Sequence, residues 1–141
     1  MERDSHKMQN MCVMIKPASA ICNMRCKYCF YADETSKRAV ASYGIMSFNT
    51  LYSVLEKVLS KATKSCVIVF QGGEPTLAGL PFFRKAINIC KEKNVNHCNI
   101  SFAIQTNGLL IDGEWCEFFA ENHFLVGISL DGPKELHDAN R

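Results

Sequence analysis

At 141 residues, with 48% hydrophobic and 21% charged residues, the chain has the composition of one globular domain with its own core and not of a disordered segment. Its 16 basic and 14 acidic residues are scattered to a net charge of +2, so no basic stripe stands out to hold a phosphate backbone, and nucleic acid is not an expected partner. No apolar run approaches the roughly 20 residues that cross a bilayer, and the leader from Met1 to Lys7 is followed by no signal-peptide core, which predicts a cytoplasmic protein with no membrane partner.

The first predicted element is Cys12 to Lys16, a short apolar run ended by Pro17 that fits a buried strand. A cysteine-bearing loop follows, and the polar stretch from Asp33 to Tyr43 reads as a mobile loop. Ser47 can cap a helix whose apolar residues Phe48, Leu51, Tyr52, Leu55, Val58, Leu59 and Ala62 recur at spacings of three and four. Cys66 to Phe70 is β-branched, too short for a helix and broken by Gly72-Gly73, so it predicts a second buried strand. Pro81 suits the first turn of a helix that carries Phe83, Ala86, Ile87 and Cys90 inward and ends near Asn94. Ile100 to Gln105 predicts a third strand. Asp112 can cap a helix with Trp115, Phe118 and Phe119 on one side, and Phe124 to Leu130 predicts a fourth strand.

The order β-α-β-α-β-α-β implies parallel strands, because each helix must return over the sheet before the next strand begins. The fold class is therefore α/β, in one domain, with no internal repeat or linker. Four sets of polar, cysteine or glycine residues directly follow the four strands: Cys22 to Cys29, Gln71 to Pro75, Thr106 to Gly108, and Ser129 to Pro133. All fall at the carboxyl ends of the strands, the edge where parallel α/β sheets build their sites.

Eight cysteines without an export signal are expected to be reduced, with any tight cluster explained by metal binding or catalysis. Three are clustered as Cys22, Cys26 and Cys29, a C-x3-C-x2-C spacing. Three thiolates from one loop can converge on three irons of a cubane and leave the fourth iron open to another ligand. Structural zinc wants four ligands, and no second Cys-x2-Cys or Cys/His pair follows; His97 with Cys98 sits near the start of a strand, at the wrong end of the sheet. Cys12, Cys66, Cys90, Cys98 and Cys116 are scattered and expected to have no metal role, with Cys66 and Cys90 acting as small buried hydrophobes.

The cysteine spacing, with an aromatic before the last cysteine, resembles the cluster loop of the radical S-adenosylmethionine (SAM) superfamily, and Gln71-Gly72-Gly73-Glu74-Pro75 resembles that family's segment for the SAM amino group. More narrowly, Ile15-Lys16-Pro17, Cys29-Phe30-Tyr31, Ser42 to Met46, Phe70 to Leu80, Gln105 to Gly108, and Ser129 to Pro133 with His137 and Arg141 are similar to anaerobic sulfatase-maturating enzymes.

The resemblance implies parallel βα repeats forming part of a radical SAM partial TIM barrel, about four βα units of it, truncated at residue 141. Residues 1–141 would be the amino-terminal portion of a radical SAM core domain, with the rest of the barrel, a proton acceptor and an auxiliary-cluster domain beyond it. It further implies Cys22, Cys26 and Cys29 as ligands of a 4Fe–4S cluster, and Tyr28, Gly73, Ser129 and Arg141 against SAM, with Glu74 and Asn107 as further ligand contacts. The implied activity is reductive cleavage of SAM to a 5′-deoxyadenosyl radical that oxidises a sulfatase cysteine or serine to formylglycine, with a sulfatase or other peptide as substrate and reduced flavodoxin or ferredoxin as electron donor. A fragment alone would be inactive on peptide. Two alternatives stay open: another peptide-modifying radical SAM enzyme, or a noncatalytic iron–sulfur or SAM-binding remnant.

Overall fold

The β-branched and apolar runs form four parallel strands, β1 (Met8–Ile15), β2 (Ala62–Phe70), β3 (Asn99–Thr106) and β4 (Leu125–Ile128), hydrogen-bonded in the order β1-β2-β3-β4. The computed structural model describes residues 7–141; the leader at 1–6 lies outside the described residues. Register aligns Ile15, Phe70, Ile104 and Val126 in one row across the sheet. The segments that follow each strand therefore leave along a single edge.

Three amphipathic helices cover one face. In α2 (Phe48–Leu59) the Ser47 hydroxyl accepts from Thr50 N at 3.1 Å, the expected cap, and Leu51, Leu55 and Leu59 are buried. In α3 (Leu80–Lys93), Pro81 stands in the first turn and Phe83, Ala86, Ile87 and Cys90 point inward. The Asp112 carboxylate caps α4 (Gly113–Glu121) by accepting from Trp115 N at 3.1 Å, and Trp115, Phe118 and Phe119 are buried. These faces close on Ile68, Phe70 and Ile104 in one core, with Phe83 in edge-to-face contact with Phe70 at 4.9 Å and Trp115 at 5.2 Å between ring centroids.

Several expectations need correction. The first strand begins at Met8, not Cys12, and is not a buried strand: only Ile15 is buried, because β1 is an edge strand. Met14 and Leu125, on the face opposite the helices, are 57% and 75% exposed. Ala62 is buried as the first residue of β2 and does not extend the α2 stripe, since the chain turns at Ser60 and Lys61. The stretch expected to be loop from Asp33 begins inside a helix, α1 (Phe30–Ser36), and a further helix, α5 (Lys134–Asn140), follows Pro133. Both are seven residues long and bury nothing, so neither carries the apolar periodicity that marks the other three. No helix of the described residues is long and apolar enough to cross a membrane.

Candidate functional site

The cysteine loop leaves β1 through Pro17 and is tied back at three points along the carboxyl edge. Glu74 N donates to the Ile21 carbonyl at 2.8 Å, Lys27 N donates to the Asn140 carbonyl at 2.9 Å, and Asn107 Nδ2 donates to Asn23 Oδ1 at 2.8 Å. The segments after β2, β3 and β4 thus each hold one part of the loop.

Glycine at 73 is required by this docking. Its φ is +57°, and a Cβ built there would stand 2.3 Å from the Ile21 carbonyl oxygen. At Gly72, with φ +99°, a Cβ would meet the flexible Lys16 side chain at 2.4 Å. The close approach that the two glycines permit is therefore to the chain itself, under the cysteine loop and beside Lys16.

Glu74 is 1% exposed, and its carboxylate accepts four hydrogen bonds from protein donors. Oε1 accepts from Thr76 N at 3.0 Å, Thr76 Oγ1 at 2.6 Å and Thr106 Oγ1 at 2.7 Å, while Oε2 accepts from Asn107 N at 2.8 Å. A buried carboxylate is tolerated when donors of this kind satisfy it. It ties the turn after β2 to the end of β3.

At the far side, Asp131 joins two elements. Its Oδ2 accepts from the Tyr28 hydroxyl and, at 3.0 Å, from Arg141 Nε, while its backbone N donates to His137 Nδ1 at 3.4 Å. Arg141 lies over the Tyr28 ring at 5.5 Å and turns Nη1 toward Cys26 Sγ at 3.8 Å. The bond from Tyr28, with Arg141 adding to it, holds the Asp131 carboxyl below its usual range, and the same bond pushes the Tyr28 phenol up. Gln105 Nε2 donates to Ser129 Oγ at 2.9 Å, fixing that hydroxyl beside the same space.

One cavity of about 280 Å³ is lined by Cys22, Cys26, Cys29, Tyr28, Gly73, Glu74, Asn107, Ser129 and Arg141, which are all the residues expected at a site. Gln71 and Gln105 line it as well; the sequence placed them within the family-like segments Gln71 to Pro75 and Gln105 to Gly108 without giving either a contact of its own. Asp131 was also missed, because its importance lies in the convergence of Tyr28 and Arg141, which are remote in sequence. A second cavity of about 360 Å³ on the loop also reaches Cys22, Cys26 and Cys29.

The donor set, three thiols of one loop lining one cavity, suits a cubane. A mononuclear zinc site needs four ligands on one point, whereas thiolates of a cubane each bind a different iron and need only share a space. His97 and Cys98 immediately precede β3, at the opposite end of the sheet. Burial pushes the Cys22 thiol up from its ordinary value, with the charges of Glu74, Cys26 and Cys29 adding to the effect against a backbone donor, Met24 N. Metal binding would replace the proton that this environment retains.

A family model described as the radical SAM superfamily matches residues 17–141. The chain is 48% identical over 134 residues to a cysteine-type anaerobic sulfatase-maturating enzyme of Clostridium novyi (strain NT), covering 95% of this chain and 36% of that protein. It is 39% identical over 130 residues to a serine-type anaerobic sulfatase-maturating enzyme of Bacteroides thetaiotaomicron, covering 92% of this chain and 31% of that protein. The solved structure of native anSMEcpe with bound AdoMet and the Kp18Cys peptide superimposes with a TM-score of 0.86 at 48% identity, over 94% of this chain and 35% of that one. The chain thus spans about a third of the length of these relatives.

Proposed function

The chain belongs to the radical SAM superfamily, and from that premise we propose that it is the amino-terminal portion of a radical SAM core acting in formylglycine-generating sulfatase maturation. The family works with a 4Fe–4S cluster and SAM. What supports the reading as a radical SAM core is one cavity at the carboxyl edge onto which the three loop cysteines and Tyr28, Gly73, Ser129 and Arg141 all open. The similarity to both cysteine-type and serine-type maturating enzymes favours a peptide cysteine or serine as the substrate.

When bound, the cluster and SAM supply reductive cleavage of the sulfonium bond and the hydrogen abstraction that begins oxidation of the peptide side chain. The protein's part is binding and orientation. Cys22, Cys26 and Cys29 would hold the irons as thiolates. Arg141, anchored through Nε on Asp131 and with Nη1 toward Cys26 Sγ, keeps Nη2 for a carboxylate. The Tyr28 ring, anchored through its hydroxyl on the same Asp131, offers an aromatic wall for an adenine. Gln105 holds the Ser129 oxygen toward the cavity, and the Gly73 backbone stands without a side chain beneath the loop. The electron would come from reduced flavodoxin or ferredoxin in the cytoplasm, and the rest of a longer protein would complete the peptide site.

Anaerobic reconstitution with iron and sulfide, followed by reduction in the presence of SAM, tests this reading. The expected results are a cubane EPR signal, its loss in C22A, C26A and C29A, and accumulation of 5′-deoxyadenosine. A tetrathiolate iron spectrum, or no cubane at all, overturns the ligand assignment. A cubane that releases no 5′-deoxyadenosine would identify a noncatalytic module instead.

A further inference from the structure

The buried Glu74 carboxylate accepts from Thr76 N, Thr76 Oγ1, Thr106 Oγ1 and the backbone N–H of Asn107. Asn107 in turn faces the cysteine loop. A primary amide nitrogen carries two N–H donors; Asn107 Nδ2 lies 2.8 Å from Asn23 Oδ1 and 3.8 Å from Cys22 Sγ. Its Oδ1 is held by Leu109 N at 3.0 Å, which settles which end of the amide points at the sulfur. Met24 N adds a second donor to Cys22 Sγ at 3.4 Å.

We infer that Glu74 and Asn107 are a positioning pair for Cys22: the carboxylate fixes the Asn107 backbone, and the Asn107 amide orients the Cys22 loop and donates to its sulfur. This rests on the proposed ligation of a cubane by Cys22. Donors to a ligand sulfur draw electron density from the cluster and favour its reduced form, which raises the reduction potential. Glu74 then acts on the cluster loop through Asn107, at a distance from the metal.

The test compares wild type, N107A, E74Q and the double variant of this chain. Gln at 74 keeps the size of the side chain but presents an N–H to a pocket of donors, so Asn107 loses its anchor. In the reconstituted protein, before SAM is added, EPR-monitored redox titration should give a negative shift in midpoint potential for N107A and a smaller shift of the same sign for E74Q. The double variant should match N107A alone, because both changes act through one contact. In cluster-free protein, amide hydrogen exchange over residues 20–26 should be faster in both single variants. Full cluster loading with an unchanged potential in N107A overturns the inference, as does an additive double variant or exchange at 20–26 identical to wild type. A wild-type chain that forms no cubane overturns the ligation reading itself, while the exchange comparison, which needs no iron, still decides whether Glu74 and Asn107 hold the loop.

Discussion

Gly127 lies directly against Gln105, so that a Cβ built on it would stand 2.3 Å from Gln105 Oε1, the end of the side chain that reaches across to Ser129. The absence of a side chain on β4 is what lets Gln105 cross to the next strand. In G127A the Gln105 tip can swing away at little cost, and alanine lowers the entropy of the unfolded chain, so stability should change by no more than about 1 kcal/mol. The Gln105–Ser129 bond would be lost. If Ser129 contacts SAM, binding should weaken about fivefold, the equivalent of about 1 kcal/mol. Urea unfolding and SAM titration of the reconstituted protein check both parts, and an unchanged SAM affinity would mean that Gln105 does not set the Ser129 hydroxyl.

A different outcome is expected at Gly73, where the obstructing atom is backbone. G44A provides the comparison: Gly44 has φ +77° but nothing within 4 Å of an added Cβ, so only the left-handed conformation is penalised, by about 1 kcal/mol. G73A adds a collision with the Ile21 carbonyl that can be relieved only by moving the cysteine loop. It should be the more destabilised variant, by about 2 kcal/mol or more, and it alone should lose iron after reconstitution. Equal iron content in the two variants would show that the loop tolerates displacement.

The core has its own critical residue. Phe83 is fully buried and contacts the rings of Phe70, Phe82, Trp115 and Phe118, joining α3 and α4 to β2. F83A should lower the unfolding free energy by about 3–5 kcal/mol, through lost transfer energy and the cavity left behind. Denaturant unfolding measures it. A loss below about 1 kcal/mol would indicate that the α3 and α4 faces collapse to fill the space.

The sequence patterns that predict these elements are those with a buried face. Leu51, Leu55 and Leu59 announce α2, and Trp115, Phe118 and Phe119 announce α4, because helical periodicity and burial coincide there. Helices α1 and α5 bury nothing and leave no such trace. The same divide runs through the site. Cys22, Cys26, Cys29 and Gly73 are visible as local spacing, whereas the occupation of Glu74 by donors from Thr106 and Asn107 depends on how the turn after β2 meets the end of β3. Asp131 likewise gains significance only when the chain brings Tyr28 and Arg141 to it.

The buried thiols away from the site set a dependence of stability on alkaline pH. Burial pushes the Cys66 thiol from 9.0 up to about 11 and the Cys90 thiol from 9.0 up to about 12, with neighbouring thiols adding smaller amounts. Both values are raised in the folded state, so the folded protein retains protons that the unfolded chain releases. Their contribution is therefore fully present below pH 9.0 and is lost as pH rises through about 11 for Cys66 and about 12 for Cys90. In that window each thiol can add up to about 1.4 kcal/mol per pH unit to the decline. C90A loses packing at neutral pH, but it should make the fall in unfolding free energy above pH 9 shallower, and C66A/C90A shallower still. The slope separates ionisation from packing, because a packing loss shifts the whole curve while a removed thiol changes its gradient. Parallel curves for wild type and the double variant would mean that these sulfurs gain water access before they ionise.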